Sequence, residues 1–361
     1  MKQYDKNSLI GFVLMAIILI VFNTFFFPEV PQEDVPTTTP TETAISETQI
    51  AETVIDALTI PTLNDSIISE ELKATFGIFA AAAIGNDEFQ IIENDKLKIT
   101  VANKGGRITS VILKEYQTYD SLALDLFDAD SSRFNLQFTT GHNINTADLY
   151  FVSEQRNNTL SMKLKADDSH YVEYLYTITD DYLIDFDINF VGMESIIPSE
   201  VNYMNLEWQM KTPQTEKSKT NQDMYTGLQY QYSSDNEVDY LSFTSTDDDK
   251  INARLNWVAY KQQFFSAIFI AKDGFDKPTY LTSTKSERSK FIKDLATKFE
   301  LPYGHKRDEK LSFQFYFGPN HFKTLESYNS GFEELVPLGW GIFGWVNQYI
   351  IINLFDFLSK Y

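Results

Sequence analysis

The sequence of 361 residues has no cysteine at all. That excludes a disulfide framework, a thiolate metal site and a cysteine nucleophile. Histidine is nearly as scarce, with only His142, His170, His305 and His321. None of the four stands in a HExxH or related ligand spacing, so a zinc centre is not expected. Serine-hydrolase GxSxG, Walker and dinucleotide glycine patterns are all missing. Basic residues are few, 30 Lys and Arg against 51 Asp and Glu, for a net charge of −21. A surface of that sign repels phosphate backbones, so no nucleic-acid partner is expected.

The acidic residues form no persuasive site either. Asp128-Ala129-Asp130 opens like a calcium loop but lacks its glycine and closing glutamate. Asp247-Asp248-Asp249 reads as a solvated turn. Asn157-Asn158-Thr159 matches a glycosylation acceptor only as a three-residue pattern. A paired-carboxylate glycosidase site remains an alternative, although no pair is singled out. No cofactor, metal or catalytic residue emerges from these residues.

What is present begins with one long apolar run, LIGFVLMAIILIVFNTFFF, at residues 9–27. About 14 of its residues are Leu, Ile, Val or Phe, which at −0.3 to −0.6 kcal/mol each contribute roughly −4 to −8 kcal/mol to insertion. Its length suits a bilayer core. Ile10, Val13, Ile17, Ile20, Phe22 and Phe26 are the expected anchor residues. The run closes on three phenylalanines and Pro28, too bulky for signal peptidase, which favours a retained anchor. Lys2 and Lys6 precede it, and Glu29, Glu33 and Asp34 follow, so the N-terminus is expected in the cytoplasm and the remainder outside.

Residues 28–64 are dominated by Pro, Thr and Glu without sustained period and read as a flexible tether. Residues 65–85 form a helical lead-in, as one helix or a broken pair: Asp65 or Ser66 caps it, and Ile67, Ile68, Leu72, Phe76 and Phe79 recur at helical spacing. From 86 to 330 period two takes over, as in Val172, Tyr174, Tyr176, Ile178 and in Leu311, Phe313, Phe315, Phe317. One apolar and one polar face per run is the mark of antiparallel strands half covered by a core. The run from Gln263, QFFSAIFIAK, is apolar throughout and suits a central strand. No sustained helical spacing appears between 86 and 318. The expected class is mainly β, a large antiparallel sandwich with one N-terminal transmembrane helix and short C-terminal helices.

Residues 331–361 read as a connector and an amphipathic helix. Val346, Ile350, Leu354 and Phe357 fall on one helical face, widened by Ile351 and Leu358, with Trp345 at the start. Such a helix lies along a membrane surface; the plain alternative is a terminal helix docked on the sandwich.

NKGGRITSVILKEYQTYDSLALDLFD at 103–128, WVAYKQQFFSAIFI at 257–270, FYFGPNHFKTLESY at 315–328 and LVPLGWGIFGWVNQYIIINLFDFLSKY at the end complete the pattern. In this order behind an anchor, they resemble the N-terminal half of Bacteroidetes-type YidC membrane protein insertases, of the YidC/Oxa/Alb family. The matching positions include Gly105, Gly106, Arg107, Trp257, Gly318 and Pro319, all read as structural. The resemblance implies a periplasmic β-supersandwich similar to galactose-mutarotase-like folds, held at the inner membrane. It implies no enzymatic activity. It further implies the lipid bilayer and nascent inner-membrane proteins as partners, alone or with the Sec translocon. The family's inserting helical bundle, with the basic residue of its groove, has no counterpart in these residues and is expected beyond Tyr361. The rival expectation is a membrane-anchored carbohydrate-binding or carbohydrate-modifying sandwich, which requires a cleft holding a histidine and a carboxylate.

Overall fold

The computed structural model describes residues 69–129, 131–276 and 278–358. The expected anchor with Ile10, Val13, Ile17, Ile20, Phe22 and Phe26, the tether, and Asp130 lie outside the described residues. Chain contacts divide the protein into residues 1–61 and 62–361, and only the second unit is described below.

Alternating side chains build nineteen strands among the described residues, every pairing between them antiparallel. In Tyr171–Ile178 buried and half-buried residues alternate without a slip, because a pleated strand sends successive side chains to opposite faces. The largest sheet has nine strands, with Phe265–Phe275 and Asp308–Pro319 near its middle. A second sheet has six, centred on Tyr203–Pro213 and Phe291–Pro302. These two face each other across an aromatic core. Trp208 of the six-stranded sheet stacks on Tyr260 of the nine-stranded sheet with ring centres 3.9 Å apart. Phe134 meets Phe186 at 5.5 Å and Phe269 at 6.0 Å, both in edge-to-face geometry. The Tyr260 hydroxyl reaches the Trp208 carbonyl at 2.6 Å and so keeps its hydrogen bond inside the core.

The third sheet, of four strands, carries the NKGGR turn between Leu97–Ala102 and Ile108–Gln117. Gly105 and Gly106 adopt φ of +80° and +62°, a region costly for residues with a Cβ. The Gly105 amide donates to the Leu149 carbonyl at 2.8 Å, and the Gly106 carbonyl accepts from the Tyr176 hydroxyl at 2.8 Å. Arg107 donates to Ser132 Oγ at 2.8 Å and to the Ala129 carbonyl at 3.1 Å. The motif thus pins the small sheet onto the other two. Gly105→Ala is expected to cost about 1–2 kcal/mol through its left-handed backbone, read as a lowered urea midpoint with unchanged slope.

Over its described part the lead-in takes the broken form: Glu70–Phe76 is α-helical, with Ser69 as N-cap, and Gly77–Ala83 continues as 3-10 helix, Gly77 at φ +54°. Asp65, Ser66, Ile67 and Ile68 lie outside the described residues. Two local expectations are corrected. Asp247-Asp248-Asp249 is not a turn but starts the edge strand Asp247–Ile251, paired with Thr279–Lys285. An edge strand exposed on both faces has no apolar alternation to betray it, and its charges discourage pairing with another chain. A short helix, Lys219–Tyr225, also interrupts the β region. It buries only Gln222, so no apolar spacing announces it.

Candidate membrane-facing surface

After the strand Asp308–Pro319 the chain turns onto the outer face of the nine-stranded sheet. The Tyr316 side chain folds over Gly318 to donate to the Pro319 carbonyl at 2.7 Å. A Cβ on Gly318 would come within 2.6 Å of that hydroxyl, which is why glycine stands there. The helix Phe322–Glu326 follows, then Phe332–Leu335 as a 3-10 turn, burying Phe322, Leu325, Phe332 and Leu335.

Polar contacts hold this connector in place. Trp257 Nε1 donates to the Ser330 carbonyl at 3.0 Å, and its ring lies 5.8 Å from that of Phe332. The Tyr328 hydroxyl donates to Asp181 Oδ2 at 2.7 Å, and Lys96 pairs with Asp181 Oδ1 at 2.5 Å. Burial works to raise the Asp181 pKa, but the Lys96 ammonium and the Tyr328 hydroxyl outweigh it, so the carboxyl titrates below its usual range. Burial and the neighbouring Asp181 push the Tyr328 phenol well up, keeping it a donor.

Beyond the connector comes a helix in three pieces: Ile342–Val346, a π-turn Asn347–Ile351, and Ile352–Leu358. Asn347 Nδ2 caps the Leu338 carbonyl at 2.8 Å, and Lys323 donates to Asn353 Oδ1 at 2.8 Å. No residue of the first two pieces is buried. Trp345, Ile350, Leu354, Phe357 and Leu358 are exposed, and Val346 is half-buried. So are Ile342, Phe343, Tyr349 and Phe355, and Trp340 is 87% exposed. Most of the helix's apolar side chains are thus left exposed. The π-turn holds more than 3.6 residues per turn, so it shifts the phase of the second half against the first. Leaving this many large apolar groups in water is costly, and a patch of this kind marks a contact with lipid or protein. Among the described residues, no helix is long and apolar enough to cross a membrane.

The histidines do not converge on a cleft with a carboxylate. His170 Nδ1 lies 2.8 Å from Asp167 Oδ2, but both sit in one solvent-facing turn. His142 packs against Gly77, His305 Nε2 meets the Val201 carbonyl at 2.8 Å, and His321 Nδ1 meets Thr324 Oγ1 at 2.9 Å. A groove of ≈ 710 Å³ on the six-stranded sheet is lined by Gln137, Asn145, Glu200, Asn202, Tyr203 and Asn205 among others, without a histidine. Among the described residues no cluster of three metal-ligating side chains occurs. Sequence spacing singled out neither Tyr182 nor Tyr316, which together with Tyr328 and Trp257 seat the connector.

The profile of the family described as YidC periplasmic domain matches residues 90–352. Membrane protein insertase YidC of Parabacteroides distasonis is 35% identical, over 99% of this chain and 59% of that protein. Membrane protein insertase YidC of Bacteroides fragilis is 33% identical, over 98% of this chain and 58% of that protein. The chain thus spans less than two thirds of the length of these curated relatives. A crystal structure of a putative aldose 1-epimerase from Escherichia coli K12 aligns with 64% of the chain at 10% identity and a TM-score of 0.40. On the profile match and the identity to curated relatives, this chain belongs to the YidC periplasmic domain family.

Proposed function

We propose that these residues are the anchored, periplasmic part of a membrane protein insertase of the inner membrane. The N-terminus is cytoplasmic, the sandwich periplasmic, and the 342–358 helix lies at the outer leaflet. Trp345, Val346, Ile350, Leu354, Phe357 and Leu358 are its lipid-facing residues. The clients are nascent inner-membrane proteins, received alone or together with the Sec translocon. The work is physical: an apolar client helix moves into lipid while its polar flank crosses, without nucleotide, metal or covalent step. The relatives, membrane protein insertases of Parabacteroides distasonis and Bacteroides fragilis, support this reading. The observation that carries it is the exposed apolar helix held on a fixed connector. The net charge of −21 disfavours nucleic acid as a partner.

The test takes the protein from its native membrane into proteoliposomes with a newly synthesised single-spanning client. Protease protection of the client's translocated tail above that in empty vesicles is expected. Protection equal to empty vesicles overturns the reading.

A further inference from the structure

One end of the sandwich gathers turns from distant parts of the chain. The pairing register sets Gly227 opposite Lys261, Phe265 opposite Pro319 and Leu183 opposite Tyr316, so the turn at 262–264 lies at that end. Lys293 donates to the Thr226 carbonyl at 2.6 Å and brings the 213–226 segment to the same end. The Tyr116 ring, 5.1 Å from that of Phe265, brings the 118–122 turn there as well.

Each of these segments holds a large apolar side chain out to solvent, Met224 from the helix Lys219–Tyr225 and the others from turns. Leu122 is 62% exposed, Tyr119 55%, Phe264 51% and Met224 51%. The strands directly behind them bury Tyr260, Phe265 and Phe317. None of the four carries a charge. They protrude from three separate segments, a shape that suits a deformable apolar medium better than a partner of fixed contour. Tyrosine settles at the headgroup level of a bilayer, and phenylalanine and leucine enter the boundary just below it. The tips also continue into the C-terminal helix. The Asn320 amide donates to the Phe264 carbonyl at 2.7 Å, and three residues later Lys323 reaches Asn353 on that helix at 2.8 Å.

We propose that this end of the sandwich is seated on the lipid bilayer, its turns at 118–122 and 262–264 and Met224 forming one contact surface with the 342–358 helix. The proposal rests on reading that helix as membrane-facing. It gives the domain a fixed stance on the membrane rather than a loose suspension from two attachments. With a chain of net charge −21 the contact is apolar, so it needs no anionic lipid.

The absence of cysteine makes the test direct. The full chain is placed in phosphatidylcholine bilayers with one cysteine at a time, Leu122→Cys, Phe264→Cys, Ile350→Cys or Tyr203→Cys. Each is labelled with an environment-sensitive fluorophore and exposed to nitroxide-bearing lipid. Tyr203 is exposed at the opposite end, where its strand pairs with Pro302. Loss of fluorescence at Leu122 and Phe264 matching that at Ile350, with none at Tyr203, is expected. Quenching at Ile350 while both tips behave like Tyr203 overturns the proposal and leaves the helix reading intact. No quenching at Ile350 or at either tip overturns both.

Discussion

Phe269→Ala is expected to destabilise the sandwich by about 3–5 kcal/mol, the usual cost of deleting a buried aromatic ring. Phe269 is fully buried on the central strand Phe265–Phe275. Its ring lies 4.6 Å from Phe315, 5.1 Å from Phe313, 5.3 Å from Phe275 and 5.6 Å from Phe299. It therefore belongs to both sheets at once, and rigid strands on either side leave little room for the cavity to close. The measurement is urea unfolding: the midpoint falls while the slope stays constant. Phe89→Ala, at an exposed edge position, serves as the control and stays within about 0.5 kcal/mol. A loss below about 1 kcal/mol at Phe269 would sink the account of the core.

Lys261→Met is expected to stabilise the protein at neutral pH. Lys261 is 4% exposed, and its ammonium lies 5.6 Å from the centre of the Phe243 ring. Among the described residues it forms no ion pair. Burial lowers its pKa to about 8 from the ordinary 10.5. Below pH 8 both folded and unfolded chains carry the charge, and the folded chain bears the full cost of burying it. Between pH 8 and 10.5 the folded chain releases its proton first, the unfolded chain binds more protons, and stability rises with pH. At 1.36 kcal/mol per unit, the displacement corresponds to about 3 kcal/mol. The gain from Lys261→Met is thus greatest below pH 8 and fades toward pH 10.5. Buried tyrosines such as Tyr260 and Tyr316 oppose this trend at high pH, because burial raises their pKa, but they act equally in both proteins. The difference in urea stability between the two proteins, measured from pH 7 to 10, checks the prediction. A difference independent of pH would refute the buried-charge account.

Much of the β architecture was legible because strand identity is a local property. Val172, Tyr174, Tyr176 and Ile178 are all buried, as their alternation requires. The apolar run from Phe265 does become a central strand, since only a strand covered on both faces keeps apolar side chains on both. Elements without a buried stripe escaped notice. The acidic edge strand Asp247–Ile251 buries only Ile251, and the helix Lys219–Tyr225 buries only Gln222. The C-terminal helix was legible as apolar and aromatic, whereas the π-turn at Asn347–Ile351 was not, because one wide turn leaves no mark in the spacing of so short a run.

The family motifs divide in the same way. Gly105, Gly106 and Arg107 were legible as a turn, yet nothing in their order reveals that Tyr176 donates to Gly106. Trp257 was legible as part of a strand, whereas its bond to Ser330 joins residues 73 positions apart.

Composition, period and linear motif were enough to establish an acidic, cysteine-free β protein of this family, with an apolar run near its start. These are properties of neighbours along the chain, and they survive in the unfolded string. The tertiary structure alone decided which strands adjoin, that a lysine would be buried beside Phe243, and that Leu122, Met224 and Phe264 would share one end. Such juxtapositions depend on the packing of whole sheets, where many weak contacts between remote residues outweigh the preference of any single segment.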